Sequence, residues 1–403
     1  MSQSSNERLH GLDALRGLAL LLGVVLHASL AWLPIPIWPV AETGSPVAAV
    51  IFFVIHVFRM TAFFMIAGLF AHLMLSRKGW LGFLKDRSSR IAGPLLTFWT
   101  PVFAGFIAVL LWKVAIDNGG SLPTDGPPPP PLTAQTFPIL HLWFLYLLMI
   151  FYVVVLAIRA PFAAMDRAGV IGRMLDRVTG LIATPVGPFV LAAPLAVALY
   201  FTPNWIAFLG IPTPDTGLLP NAAALTGFFT AFVFGFLLDR RRDLLGRIER
   251  QWPVFLGLAA GATTTALMLS GGSAMSMEPV VDPQAKAILA GVYALAAFAS
   301  AFAAMALSLR LFSGYSAVRR YLADASYWVY IVHMPLVFAG QVLLYGLDWP
   351  WYAKFGAVIG GTLAICLVTY ELLVRHTFLG KWLNGRRVPW RKPREEPALA
   401  PAE

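Results

Sequence analysis

Two ionisable residues interrupt the apolar stretch Leu12–Trp32: Arg16 and His27. In a helix, eleven residues make about three turns, so the two share a face roughly 16 Å apart along the axis. An imidazole titrates near neutrality and can take a proton from a hydroxyl. A guanidinium can hold an anion. Asp13, three residues before Arg16, either orients it or serves as a first-turn carboxylate. His56 and Arg59 form a second pair at i, i+3, and no acidic residue lies near Arg59 in the sequence. Arg87 and Arg90 have the same spacing and can both point at one phosphate-bearing ligand. His141, Tyr330 and His333 are further candidates for a polar chamber, and Glu371 is expected to pair with an arginine.

Each of these residues also has a plainer reading. Arg16, Arg87 and Arg90 can be positive anchors at a membrane surface. His27 can be a neutral imidazole bonded to a neighbouring helix. His56 with Arg59, or Tyr330 with His333, can bridge helices. His141 can be an interfacial residue beside Trp143.

Composition selects the setting. Of 403 residues, 58% are hydrophobic and 12% charged, and the mean hydropathy is +0.72. Soluble domains carry about 25% charged residues. The net charge of +10 does not argue for nucleic acid, because the basic residues sit in short segments between apolar spans. The single Cys366 cannot form an internal disulfide. The sequence has no Cys/His zinc spacing, Gly-rich phosphate loop or Gly-x-Ser-x-Gly elbow, and no metal is expected.

Ten apolar spans are expected, near 12–33, 47–75, 91–115, 137–158, 180–202, 221–238, 252–270, 286–311, 324–346 and 353–374. The first is expected to be retained, not cleaved as a signal peptide. A basic loop is expected at 77–90, a surface helix within 159–179, and a stiff extended run at Pro127–Pro131. Alternate connecting segments hold 25 and 2 Lys and Arg residues. This asymmetry predicts cytoplasmic N- and C-termini. The fold class is therefore an all-α polytopic membrane protein. Residues 1–375 form the transmembrane domain, and 376–403 a basic, Pro-rich, partly disordered cytoplasmic tail. On this layout Arg16, Arg87 and Arg90 line an inner mouth, and the histidines occupy the middle and outer layers.

Five blocks, in order, carry a resemblance: Leu12–Ala19 with His27, Phe58–Gly68, Arg87-x-x-Arg90, His141–Leu145 and Ser326–His333. Together they resemble the acyltransferase-3 family of integral membrane acyltransferases, in particular its glucans biosynthesis protein C-like branch of periplasmic glucan succinyltransferases. The resemblance implies about ten membrane helices in a bacterial inner membrane. It implies transfer of an acyl group from cytoplasmic acyl-CoA to a carbohydrate hydroxyl. Arg16 and His27 match the family's Arg-x10-His motif, which makes His27 the catalytic histidine. Arg87 and Arg90 match its donor-side Arg-x-x-Arg motif. Acetyl-CoA or succinyl-CoA is then a co-substrate, with no bound cofactor. The periplasmic hydrolase-like domain of some members is missing here, so acceptor handling falls to the membrane domain, the outer loops or a partner protein. The competing readings are a transporter or flippase for an envelope glycan, and a membrane scaffold with a basic tail.

Overall fold

The computed structural model describes residues 3–123 and 131–390. Residues 127–130 of the proline run, and the tail from 391 onward, lie outside the described residues. Among the described residues the fold is all-helical with no strand; one isolated backbone bridge joins Pro138 to Thr216. The helices are α1 (Gln3–Ser29), α2 (Pro46–Arg87), α3 (Gly93–Asp117), α4 (Trp143–Met165), α5 (Val170–Ile182), α6 (Gly187–Tyr200) and α7 (Ala222–Leu238). They continue with α8 (Asp243–Arg250), α9 (Trp252–Leu269), α10 (Pro283–Leu311), α11 (Ala317–Leu344), α12 (Trp351–Thr369) and α13 (Phe378–Asn384).

Eight helical stretches are long and apolar enough to cross a membrane. α5 and α6, bent by 101°, supply a ninth if taken as one span. One of the eight, Pro46–Asp117, has 72 residues. It would be about 108 Å long if straight, against a hydrocarbon core of about 30 Å. It is broken at Gly79 (φ 66°, ψ 177°) and again by a π turn at Ser88–Ala92, so it makes two crossings. By length and composition the described residues thus hold eight membrane-capable stretches, or nine with the bent α5–α6 pair, and the ten expected spans are reached only if Pro46–Asp117 is counted twice.

Two expectations need correcting. The basic stretch 77–90 is helical almost throughout, because α2 resumes after the Gly79 kink and runs to Arg87. The fifth span is not one straight helix. α6 has 14 residues, about 21 Å, too short to cross alone. Pro185 and Pro188 remove backbone donors at the bend. Gly187 lies so close to Ile182 that an added Cβ would meet its carbonyl oxygen at 1.9 Å.

α2 packs along α7, α1 along α11, and α10 along α9, α6 and α2. The α2–α7 crossing depends on two glycines. A Cβ on Gly68 would meet the Phe232 carbonyl oxygen at 1.9 Å, and one on Gly235 would meet that of Met65 at 1.7 Å. Small residues let membrane helices approach closely where water gives no hydrophobic drive between them. This contact fixes the part of α2 that carries His56, Arg59 and Phe63. Beyond α12, a π turn (Tyr370–Arg375) leads to α13, where Trp382 Nε1 donates to Ser89 O (2.6 Å) and Asn384 Nδ2 to Asp324 O (3.0 Å). The first part of the tail therefore braces the Arg87–Arg90 turn.

Candidate functional site

The sequence-predicted residues separate into two cavities stacked along α1. The first, about 300 Å³, lies where α1, α4 and α11 meet the end of α2. Four arginines line it, Arg16, Arg87, Arg90 and Arg320, against two carboxylates, Asp13 and Asp324. Arg320 and Arg16 are 39% and 36% exposed, so the cavity reaches solvent at this end. Asp13 touches both Arg16 (3.3 Å) and Arg320 (3.6 Å). It orients the arginines, as one of its two readings predicts.

Arg87 and Arg90 are held by a carboxylate that sequence reasoning missed. Asp86 receives Arg87 Nη2 at 2.5 Å, Lys78 Nζ at 2.7 Å and Arg90 Nε at 3.5 Å. One buried carboxylate thus gathers three cations, and the cluster keeps a net positive charge toward the cavity. Arg87 also lies over the Tyr152 ring (5.9 Å), and Tyr327 Oη donates to Arg90 O (2.7 Å). The π turn widens the backbone between the two arginines, and Pro94 starts α3 directly after it.

The second cavity is smaller, about 70 Å³, and lies farther along α1. It gathers His27 from α1, His56 and Arg59 from α2, His141 from the turn before α4, and Tyr330 and His333 from α11. Ring centroids are 5.2 Å apart for His27 and His333, and 4.9 Å for His141 and His333. The loop residues Ile211 and Thr213 complete the lining.

Hydrogen bonds fix two imidazoles. His141 Nε2 donates to Ile331 O (3.1 Å) and His333 Nδ1 to Tyr330 O (2.8 Å). Tyr330 Oη donates back to His141 O (2.6 Å). The other nitrogens, His141 Nδ1 and His333 Nε2, are buried without partners, as is His27 Nδ1. A carbonyl accepting from one ring nitrogen leaves a lone pair on the other. His141 follows Leu140, a non-glycine residue at φ 55°, whose N–H donates to Asp215 O (3.0 Å). The left-handed backbone costs roughly 1–2 kcal/mol and is held by this loop contact.

Gly23 gives the cavity its width. An added Cβ there would lie 2.7 Å from Arg59 Nη1 and 3.6 Å from His333 Nε2. Its position one turn before His27 was the only sequence signal for it. Leu20, Phe63 and Phe144 line both cavities, and the Phe63 and Phe144 rings meet edge-on at 4.4 Å. These side chains form a thin apolar septum between the arginine cavity and the imidazole cavity.

Glu371 lines neither cavity. It pairs with Arg375 (2.8 Å) and His376 (3.1 Å) in the turn before α13. Its arginine partner is as expected, and its position is that of a brace for the chain end. Among the described residues, no group of three or more His, Cys, Asp or Glu side chains could hold a metal ion.

Comparison with known proteins gives one match. A family model, Acyl_transf_3, described as an acyltransferase domain, matches residues 9–371. Those residues contain the imidazole cavity, the septum and the lining of the arginine cavity except Leu383 and Asn384. No curated protein and no solved structure matches the chain.

Proposed function

The chain belongs to the family of that acyltransferase domain, and from this premise we propose that it is an integral membrane O-acyltransferase drawing on cytoplasmic acyl-CoA. The acyl group is acetyl or succinyl, and the acceptor is a hydroxyl of an envelope or extracytoplasmic carbohydrate. Within the family we assign it to the glucans biosynthesis protein C-like branch, which makes a periplasmic glucan the first acceptor to test. The membrane is the bacterial inner membrane, with both termini cytoplasmic and the arginine cavity on the cytoplasmic side. A partner protein for acceptor handling fits the same reading.

One observation carries the proposal: a solvent-reaching arginine cavity and a cluster of four histidines share a wall only one side chain thick. Arg87, Arg90 and Arg16 bind the CoA phosphates by charge-assisted hydrogen bonds. The pantetheine arm passes the Leu20–Phe63–Phe144 septum, which has to part, and brings the thioester beside His27. His27 takes the proton of the acceptor hydroxyl, and the oxygen attacks the thioester carbon. The tetrahedral oxyanion collapses, the carbon–sulfur bond breaks, and the CoA thiolate leaves and takes the proton back from the imidazolium. A thioester needs little leaving-group help, so positioning and one base supply most of the acceleration. The lone pairs on His141 Nδ1 and His333 Nε2 can accept from further hydroxyls of the sugar.

The test is label transfer by purified protein from acetyl-CoA and succinyl-CoA to envelope glucans, comparing wild type with His27→Ala. The proposal predicts transfer by wild type and a loss of about 10²-fold or more in a folded variant. Glycan movement across vesicles with no CoA consumed would establish a flippase instead.

A further inference from the structure

Arg59 carries a charge that the protein itself does not balance. Among the described residues it has no ion pair and no hydrogen bond, and its Nε is buried without a partner. Other cations set inside the helical bundle are matched. Lys113 pairs with Asp117 at 2.5 Å, Lys354 with Glu42 at 2.6 Å, and Arg87 with Asp86. Leaving a guanidinium away from water without an anion is costly. Yet the fold makes room for one, because Gly23 removes the side chain that would occupy the place of Nη1.

The surrounding polar atoms have the opposite hydrogen-bonding sense. His141 Nδ1 and His333 Nε2 present lone pairs, since their other nitrogens donate to Ile331 O and Tyr330 O. Tyr330 spends its hydroxyl proton on His141 O. The imidazoles are therefore suited to receive hydroxyls, and Arg59 supplies the strong donors and the positive charge. The complement of that arrangement is an anion with two acceptor oxygens in one plane.

We propose that Arg59 binds a carboxylate belonging to one of the two substrates, inside the imidazole cavity. The carboxylate ends the acyl chain of the donor or sits on a uronate-type sugar of the acceptor. A planar carboxylate meets the guanidinium fork with two parallel hydrogen bonds. This inference rests on the acyl-transfer reading and names a substrate class for it.

The experiment uses purified full-length protein in nanodiscs, as wild type, Arg59→Gln and Arg59→Lys. Gly23→Ala, which displaces the guanidinium without deleting it, serves if the Arg59 variants fail to fold. Thermal stabilisation is measured with succinate and glucuronate against their uncharged counterparts, succinamide and glucose. Initial rates are then compared for succinyl-CoA against acetyl-CoA, and for a uronate-containing glycan against a neutral glucan. A carboxylated ligand is expected to stabilise wild type and to bind at least tenfold more weakly to Arg59→Gln. The rate ratio of carboxylated to uncharged substrate should fall by at least tenfold as well, with Arg59→Lys in between. A fall in the donor ratio assigns the carboxylate to the acyl chain; a fall in the acceptor ratio assigns it to the sugar. Equal losses for charged and uncharged substrates, or equal binding by wild type and Arg59→Gln, overturn the proposal. If wild type transfers no acyl group, the proposed reaction fails, and the binding comparison still decides the role of Arg59.

Discussion

Gly23→Ala should separate activity from stability. A Cβ at this position would lie 2.7 Å from Arg59 Nη1, whereas ordinary contact begins near 3.4 Å. The guanidinium must therefore retreat by at least 3.4 − 2.7 = 0.7 Å. It sits at the end of a flexible side chain, so the backbone need not move and α1 stays packed. Within the helix, Ala is favoured over Gly by about 1 kcal/mol. The variant should therefore melt at the wild-type temperature or slightly above. A displacement near 1 Å in a reactive site can cost about 10²-fold in rate. We expect acyl transfer to fall roughly 10- to 100-fold, measured as labelled product from acyl-CoA, with the melting curve recorded on the same samples. Activity within twofold of wild type would refute the claim that the Arg59 position matters to the reaction. Loss of activity together with a lower melting temperature would show that Gly23 serves helix packing instead.

Other variants test separate parts of the account. Arg90→Ala, and Arg87→Lys, should raise the KM for acyl-CoA about tenfold with a smaller effect on kcat, since each removes a charge-assisted contact to the donor; a fall in kcat alone would contradict donor binding. Gly235→Val should destabilise the protein by roughly 1–3 kcal/mol or more, because Met65 O lies 1.7 Å from the added Cβ and the α2–α7 crossing must open. Thermal melting of the detergent-solubilised protein checks this. Lys354→Met leaves the largely buried Glu42 without its partner at 2.6 Å and should cost about 3–5 kcal/mol. The double variant Lys354→Met, Glu42→Gln should recover much of that loss, and a double variant as unstable as the single one would show that the ion pair is not the cause.

Much of the frame was legible from hydropathy alone. Spans of about 20 apolar residues have to become helices in lipid, since no other open structure satisfies the backbone there. The depths of His27, His56, His141 and His333 put them in the middle and outer layers, and the structure gathers them with Arg59 and Tyr330 around one cavity. Where the pattern misled, local backbone chemistry was responsible. Pro185 and Gly187 break the helical run between α5 and α6, which meet at 101°, so the apolar run 180–202, which reads as one span, is not a single helix. The stretch 77–90 is polar, and polarity alone does not distinguish a loop from a helix beyond the membrane. The role of Asp86 is missed when 77–90 is read as a loop; on a helix, Arg90 follows Asp86 at i, i+4 and the two are neighbours. Ile211 and Thr213 reach the imidazole cavity only through the loop that pairs Thr216 with Pro138 and Asp215 with Leu140. Nothing local in their sequence reports that contact.

The central claim is that a thioester enters from the arginine side and an alcohol from the other, so that they meet at the imidazole cavity. It is tested most directly by sidedness. Protein is reconstituted in one known orientation, with labelled acyl-CoA and glucan placed on chosen faces of the vesicle. The account predicts labelled glucan when acyl-CoA is on the face of the arginine cavity and the glucan is on the opposite face. Product formed only when donor and acceptor share one face would contradict it.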